Sequence, residues 1–144
     1  MEAILTPSVE TDRNAPLSPS ARRRWAGRIL SGLAVAFLLF DSVMKLVKIA
    51  PVVEATRRMG YPDGTARPIG LVLLVCLVIH LAPRTTVLGA VLLTAYLGGA
   101  VATHVRVLDP LFSHVLFPVY VALLLWGGLY LRDARVRAMA PWAR

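Results

Sequence analysis

Six side chains able to do acid–base or ligand chemistry sit at the ends of long apolar stretches: Asp41, Lys45, His104, Arg106, Asp109 and His114. Asp41 and Lys45 are four residues apart, so a helix places them on one face. The acid lies N-terminal to the base, the better order for a pair. His104 and Arg106 close one apolar stretch, and Asp109 and His114 follow in the connection to the next. Gathered in one place, these groups could relay protons or bind a polar head group. They could equally form a structural network that ties helix ends together. His104, Asp109 and His114 are metal-ligand types, but the spacing of the histidines matches no specific site pattern, so no metal is expected. The sequence holds no glycine-rich phosphate loop, nucleophile elbow or HExxH motif.

The elements that must position these groups are membrane helices. Thr85 to Thr103 carries no charge over nineteen residues, about 28 Å of helix against ~30 Å of bilayer hydrocarbon. Small residues recur along it at Ala90, Thr94, Gly98 and Ala102, with Gly99 beside them. In lipid, small residues let helices approach closely where hydrophobic drive is weak. Hydrophobic residues make up 57% of the chain and the mean hydropathy is +0.66, above a typical soluble domain. The net charge of +8 is explained by cations flanking the spans, so nucleic acid is not expected as a partner. The one cysteine, Cys76, lies in an apolar run, which excludes a dithiol couple within the chain.

Residues 1–21 are rich in Pro and polar residues without apolar periodicity and read as a disordered cytoplasmic tail, with no signal-peptide core. Arg22, Arg23, Arg24 and Arg28 precede the first span, which starts near Trp25 and Ile29 and runs through Val47. Asp41 then lies about 24 Å from Trp25, near the far interface. The PVVEATRRMGYPDGTARP segment predicts a short amphipathic helix in the first outer loop, then a turn around Gly60. The second span, Ile69 to Ala82, has fourteen residues and forms a hairpin with the third through Ala82-Pro83-Arg84. His80 there reads as an interfacial or hydrogen-bonded histidine. Val107 to Ser113 forms the second outer loop, and Leu116 to Leu131 the fourth span. The expected fold is an all-α integral membrane protein, a four-transmembrane-helix bundle over residues 22–133 with a cytoplasmic tail at 134–144. Ten of the sixteen Lys and Arg residues would lie on the inner side, favouring both termini in the cytoplasm.

Several stretches in order carry a family resemblance: Asp41-Ser42-Val43-Met44-Lys45, Met59-Gly60-Tyr61-Pro62, Pro83-Arg84-Thr85-Thr86 and Gly98-Gly99-Ala100-Val101-Ala102-Thr103-His104. Phe117-Pro118-Val119-Tyr120 and Leu131-Arg132-Asp133 continue it. From Arg24 to Asp133 the chain resembles the DoxX-like family of small four-helix bacterial membrane proteins. The resemblance implies a multi-pass protein of the bacterial inner membrane. It also points toward quinone as a cofactor, because relatives include DoxD-type subunits linked to thiosulfate:quinone oxidoreduction.

Three functions remain open. The first is an accessory or assembly subunit of a membrane complex, packing through Ala90, Thr94, Gly98, Gly99 and Ala102 against a second copy or a membrane redox partner. The second is a quinone-linked oxidoreductase component that binds an amphiphile at Asp41, Lys45, His104 and Arg106. The third is a small-molecule or lipid carrier using the same polar cluster. The accessory reading predicts that Gly98→Leu disrupts complex formation, measured by co-purification from the native membrane, while Asp41→Asn and His104→Ala leave it intact; the other two predict the reverse pattern in ligand uptake.

Overall fold

The computed structural model describes residues 19–139. The remainder of the expected N-terminal tail, and residues 140–144, lie outside the described residues. The described residues form six α-helices: α1 (Pro19–Val47), α2 (Ala50–Arg58), α3 (Ala66–Leu81), α4 (Thr86–Arg106), α5 (Phe117–Arg132) and α6 (Ala134–Met139). A π-helical turn, Leu111–Val115, leads into α5, where the sequence predicts only loop. No strand occurs among the described residues. The amphipathic helix expected in the first connection forms as α2, with Pro51 in its first turn, where a missing N–H is harmless. The short α6 occupies part of the stretch read as a C-terminal tail and buries Val136 against the bundle.

Four helices pack as a ring in the order α1, α3, α4, α5, with chain neighbours antiparallel and α5 returning to α1. The centre is filled by Leu38, Leu73, Leu77, Leu93, Leu125 and Leu129, all fully buried. The outer faces are apolar too: Ile29, Leu33, Phe40, Leu71, Val78, Leu88 and Leu123 are exposed. Apolar side chains inside and out are the pattern of a helix bundle solvated by lipid. Among the described residues three helical stretches are long and apolar enough to cross a membrane: Ser20–Val47, Thr86–Arg106 and Leu111–Arg132. The fourth, α3, has 16 residues, about 24 Å.

With apolar lipid outside, burying leucine inside gains little, so the ring depends on close backbone approach. Glycines supply it at three seams. A Cβ on Gly27 of α1 would lie 2.8 Å from the Gly128 carbonyl oxygen of α5, and one on Gly128 would lie 2.6 Å from the Ser31 nitrogen. Gly70 of α3 would meet Lys45 Cβ of α1 at 2.7 Å. Next to it the Ser42 hydroxyl donates to the Gly70 carbonyl at 2.9 Å, buried between the helices. Gly89 of α4 lies against the backbone of His80 on α3. His80 is itself buried and hydrogen-bonds through Nδ1 to the Thr86 carbonyl oxygen at 3.0 Å, so it ties down the α3–α4 hairpin.

The small residues singled out on α4 do something else within the chain. Ala90 is in the core. Thr94, Gly98, Gly99 and Ala102 are exposed, and a Cβ at Gly98 or Gly99 would meet nothing within 4 Å. Gly128→Val is therefore expected to destabilise the bundle by about 1–3 kcal/mol through overpacking. Gly98→Ala should be neutral or slightly stabilising, since alanine is the better helix former. Thermal unfolding in one detergent, read by circular dichroism, separates the two.

Candidate functional site

Where α1 and α4 end, the ring does not close. Phe37 of α1 and Phe117 of α5 meet edge to face, with centroids 5.0 Å apart, and both line the opening. The opening is a cleft of about 500 Å3 between α1, α3, α4 and α5. Its walls are mainly apolar, including Phe37, Tyr96, Phe117 and Val121. Val52, Ala55 and Met59 of α2 and its following turn lie over the cleft, while Glu54, Arg57 and Arg58 stay exposed. Its charged and titratable lining includes Asp41, Lys45 and His104, and hydroxyls come from Thr56, Tyr61, Tyr96 and Thr103.

The six candidate residues thus share one end of the bundle but not one role. Asp41 and Lys45 pair with each other on α1, as the spacing predicts, and line the cleft. His104 lines it from α4. Arg106 does not. Its guanidinium donates to the Met59 carbonyl oxygen and lies 5.9 Å over the Tyr61 ring, fixing the turn after α2 to the end of α4. Tyr61 adds a second tie, its hydroxyl 2.8 Å from Thr103 Oγ1. Thr103 directs its own hydroxyl to the Gly99 carbonyl at 2.9 Å, so Tyr61 is the donor. Gly60, at φ +79°, turns the chain so that both ties form.

Asp109 and His114 stand behind His104. His104 Nδ1 is 2.7 Å from Asp109 Oδ2, and the His114 ring lies 5.9 Å from the His104 ring. His114 Nδ1 is engaged by Ser113 Oγ at 2.8 Å. The other Asp109 oxygen faces Arg58 of α2 at 3.7 Å. Local backbone geometry sets this arrangement. After Arg106 the chain makes a Schellman turn: Asp109 N–H bonds the His104 carbonyl at 3.0 Å and Leu108 N–H the Val105 carbonyl at 3.1 Å. The turn needs a left-handed residue, and Leu108 takes it at φ +58°. A non-glycine residue there costs about 1–2 kcal/mol. The same turn, with Lys48 at φ +58°, ends α1 beside Lys45.

Sequence reasoning did not find Tyr61, Tyr96, Thr103 or the Phe37–Phe117 pair. Thr103 and Tyr61 adjoin residues it did find, His104 and Gly60, but only the fold puts them together. Among the described residues no three His, Cys, Asp or Glu side chains gather as a metal-ligand group.

The sequence model of the DoxX-like family matches residues 29–128. The chain belongs to that family. The match runs from the apolar part of α1 to Gly128 and so takes in the whole cleft and Gly128, but not Gly27. Neither the curated proteins nor the solved structures compared with the chain gave a match. As a DoxX-like protein with three long apolar helices, it is a transmembrane protein.

The His104 hydrogen bond, with smaller help from Arg58, holds the Asp109 carboxyl below its ordinary range. A carboxylate with a lowered folded-state value stabilises the fold above its ordinary value and loses that contribution as pH falls through the lowered one. Amide exchange over residues 105–116 should therefore stay slow through the ordinary carboxylate range, about pH 4, and rise only at lower pH. In Asp109→Asn it should be faster at neutral pH and show no such acid step.

Proposed function

We propose that this DoxX-like protein crosses the bacterial inner membrane four times, with both termini in the cytoplasm, and binds an amphiphile between its helices. The observation that carries this reading is the 500 Å3 cleft, apolar along its walls and polar at the end where Asp41, Lys45 and His104 meet. Ligand sites are mostly apolar cavities with a few placed polar groups. Ionisable side chains among membrane helices are costly, about 2.5–3.5 kcal/mol at a helix centre, so such groups mark function more often than packing. Lys45 offers a hydrogen-bond donor, and His104 offers an acceptor. An alkyl or isoprenoid tail would lie along Phe37, Phe117 and Val121, or run out between helices into lipid. A quinone fits this pattern and is the class that the family resemblance suggests.

The short α3 completes the fourth crossing through its flanks: Thr65 and Pro62 extend it at one end, and the Ala82–Thr85 turn at the other. Ten cations would then stand on the termini side, consistent with the positive-inside pattern.

A second reading, assembly with a partner or a second copy, is favoured by the exposed positions of Gly98 and Ala102, with open space where a Gly98 Cβ would lie. The two readings are compatible, because these residues do not line the cleft.

Native mass spectrometry of the chain, released from nanodiscs formed directly from its own membrane, tests the first reading. A stoichiometric adduct is expected on the wild type, reduced at least tenfold in occupancy by Lys45→Met and by Gly99→Leu, which would fill the cleft. Absence of any adduct other than bulk phospholipid would refute it.

A further inference from the structure

We propose, resting on the amphiphile-binding reading, that His104 exchanges a proton with a phenol-like hydroxyl on the bound head group, and that Asp109 is its positioning residue. The lining offers few basic atoms. Asp41 is committed to Lys45, the Tyr61 hydroxyl to Thr103, and the Thr56 hydroxyl to the Val52 carbonyl at 2.7 Å. His104 differs. The Asp109 carboxylate can only accept, so in the neutral imidazole Nδ1 carries the hydrogen and Nε2 keeps its lone pair. Nε2 makes no hydrogen bond among the described residues. Asp109 is excluded from the cleft lining, held by its own backbone bond to the His104 carbonyl and by Arg58 on its far side. This is the arrangement in which a carboxylate fixes an imidazole's tautomer and stabilises its cationic form.

The proton balance closes without any co-reactant. The head-group O–H bond breaks, an N–H bond forms at Nε2, the imidazolium is held by Asp109, and the oxyanion faces the Lys45 ammonium across the cleft. Reversal returns the proton. The acidity of the partner follows from the bases available. A carboxylic acid is already ionised at neutral pH and needs no base; an aliphatic alcohol is out of reach of an imidazole. A phenol-like hydroxyl, near pKa 10 in tyrosine, falls between, and the flat walls of Phe37, Tyr96 and Gly99 suit an aromatic ring. The charged and titratable groups facing His104 are Asp109 and His114 from the α4–α5 connection, Arg58 through Asp109 from α2, Asp41 and Lys45 from α1, and Tyr61 and Tyr96 at the cleft.

The full chain in lipid nanodiscs tests this with two probes: a 4-nitrophenol carrying an octyl chain, whose phenolate is coloured, and its methyl ether, which has no proton to give. The bound nitrophenol should show a phenolate-to-phenol ratio about tenfold higher in the wild type than in His104→Gln or Asp109→Asn at the same pH. The ether should bind all three alike. Equal ratios in wild type and variants, or loss of ether binding along with the colour, would overturn the proposal, the latter by showing that His104 and Asp109 hold the shape of the cleft and not its proton. If neither probe binds the wild type above protein-free nanodiscs, the amphiphile-binding reading falls first and this one with it.

Discussion

The structure depends on how closely α1 and α5 approach at Gly27 and Gly128. In a bilayer a leucine core has no great advantage over lipid, so helices stay together where their backbones touch. Here each glycine occupies the space that the other helix's backbone needs. Further along, the same two helices meet through the edge-to-face Phe37–Phe117 contact instead. The α3 helix repeats the asymmetry between its neighbours. It is pressed to α1 through Gly70 near the start of α3, and to α4 through Gly89 near the end. The α1–α5 and α3–α4 seams are thus tight where the arginines cluster, the α1–α3 seam is tight at the opposite end, and the cleft opens beside it where α1 and α4 end.

An open end of a membrane bundle has to be managed, and the polar residues do so in two layers. Facing the cleft, Asp41 and Lys45 neutralise each other within one helix, so neither stands as an isolated charge in a low-dielectric site. Behind it, Arg106 and Tyr61 fasten the turn after α2, and Asp109 links His104 to Arg58 of α2. The short amphipathic α2 is held over the opening by these polar ties more than by packing, since none of its residues is fully buried. Removing one tie therefore leaves the ring of long helices intact while loosening what covers the cleft.

Much of this was legible in the sequence and some was not, for identifiable reasons. Helix periodicity and hydrophobic length placed α1, α3, α4 and α5, and the i, i+4 spacing gave the Asp41–Lys45 pair, because both are local properties. Topology alone brought Asp41, Lys45 and His104 to one end. What the sequence could not give is direction around a helix axis relative to a partner. Arg106 is only two residues from His104, yet at about 100° per residue it points elsewhere and becomes a fastener instead of a lining group. The π-helical turn at Leu111–Val115 and the left-handed Leu108 were hidden because no glycine marks either. Leu108 is 90% exposed, so its side chain has little say in the turn, and the hydrogen bonds of Asp109 and Val105 decide it.

The small residues of α4 show how one pattern can serve two purposes. Ala90, Thr94, Gly98 and Ala102 recur every four residues, as do Ala95, Gly99 and Thr103, and recurrence of that kind reads as helix packing. In this chain the second row, Ala95, Gly99 and Thr103, lines the cleft. A larger side chain at Gly99 would project into space where nothing now lies within 4 Å. Smallness there creates volume instead of contact. The first row divides again. Ala90 is buried in the core, Thr94 accepts a hydrogen bond from Trp126 at 2.8 Å, and Gly98 and Ala102 face outward. A helix that approaches another closely at only one glycine, Gly89, leaves its remaining small residues to the cleft on one side and to the outer face of the ring on the other.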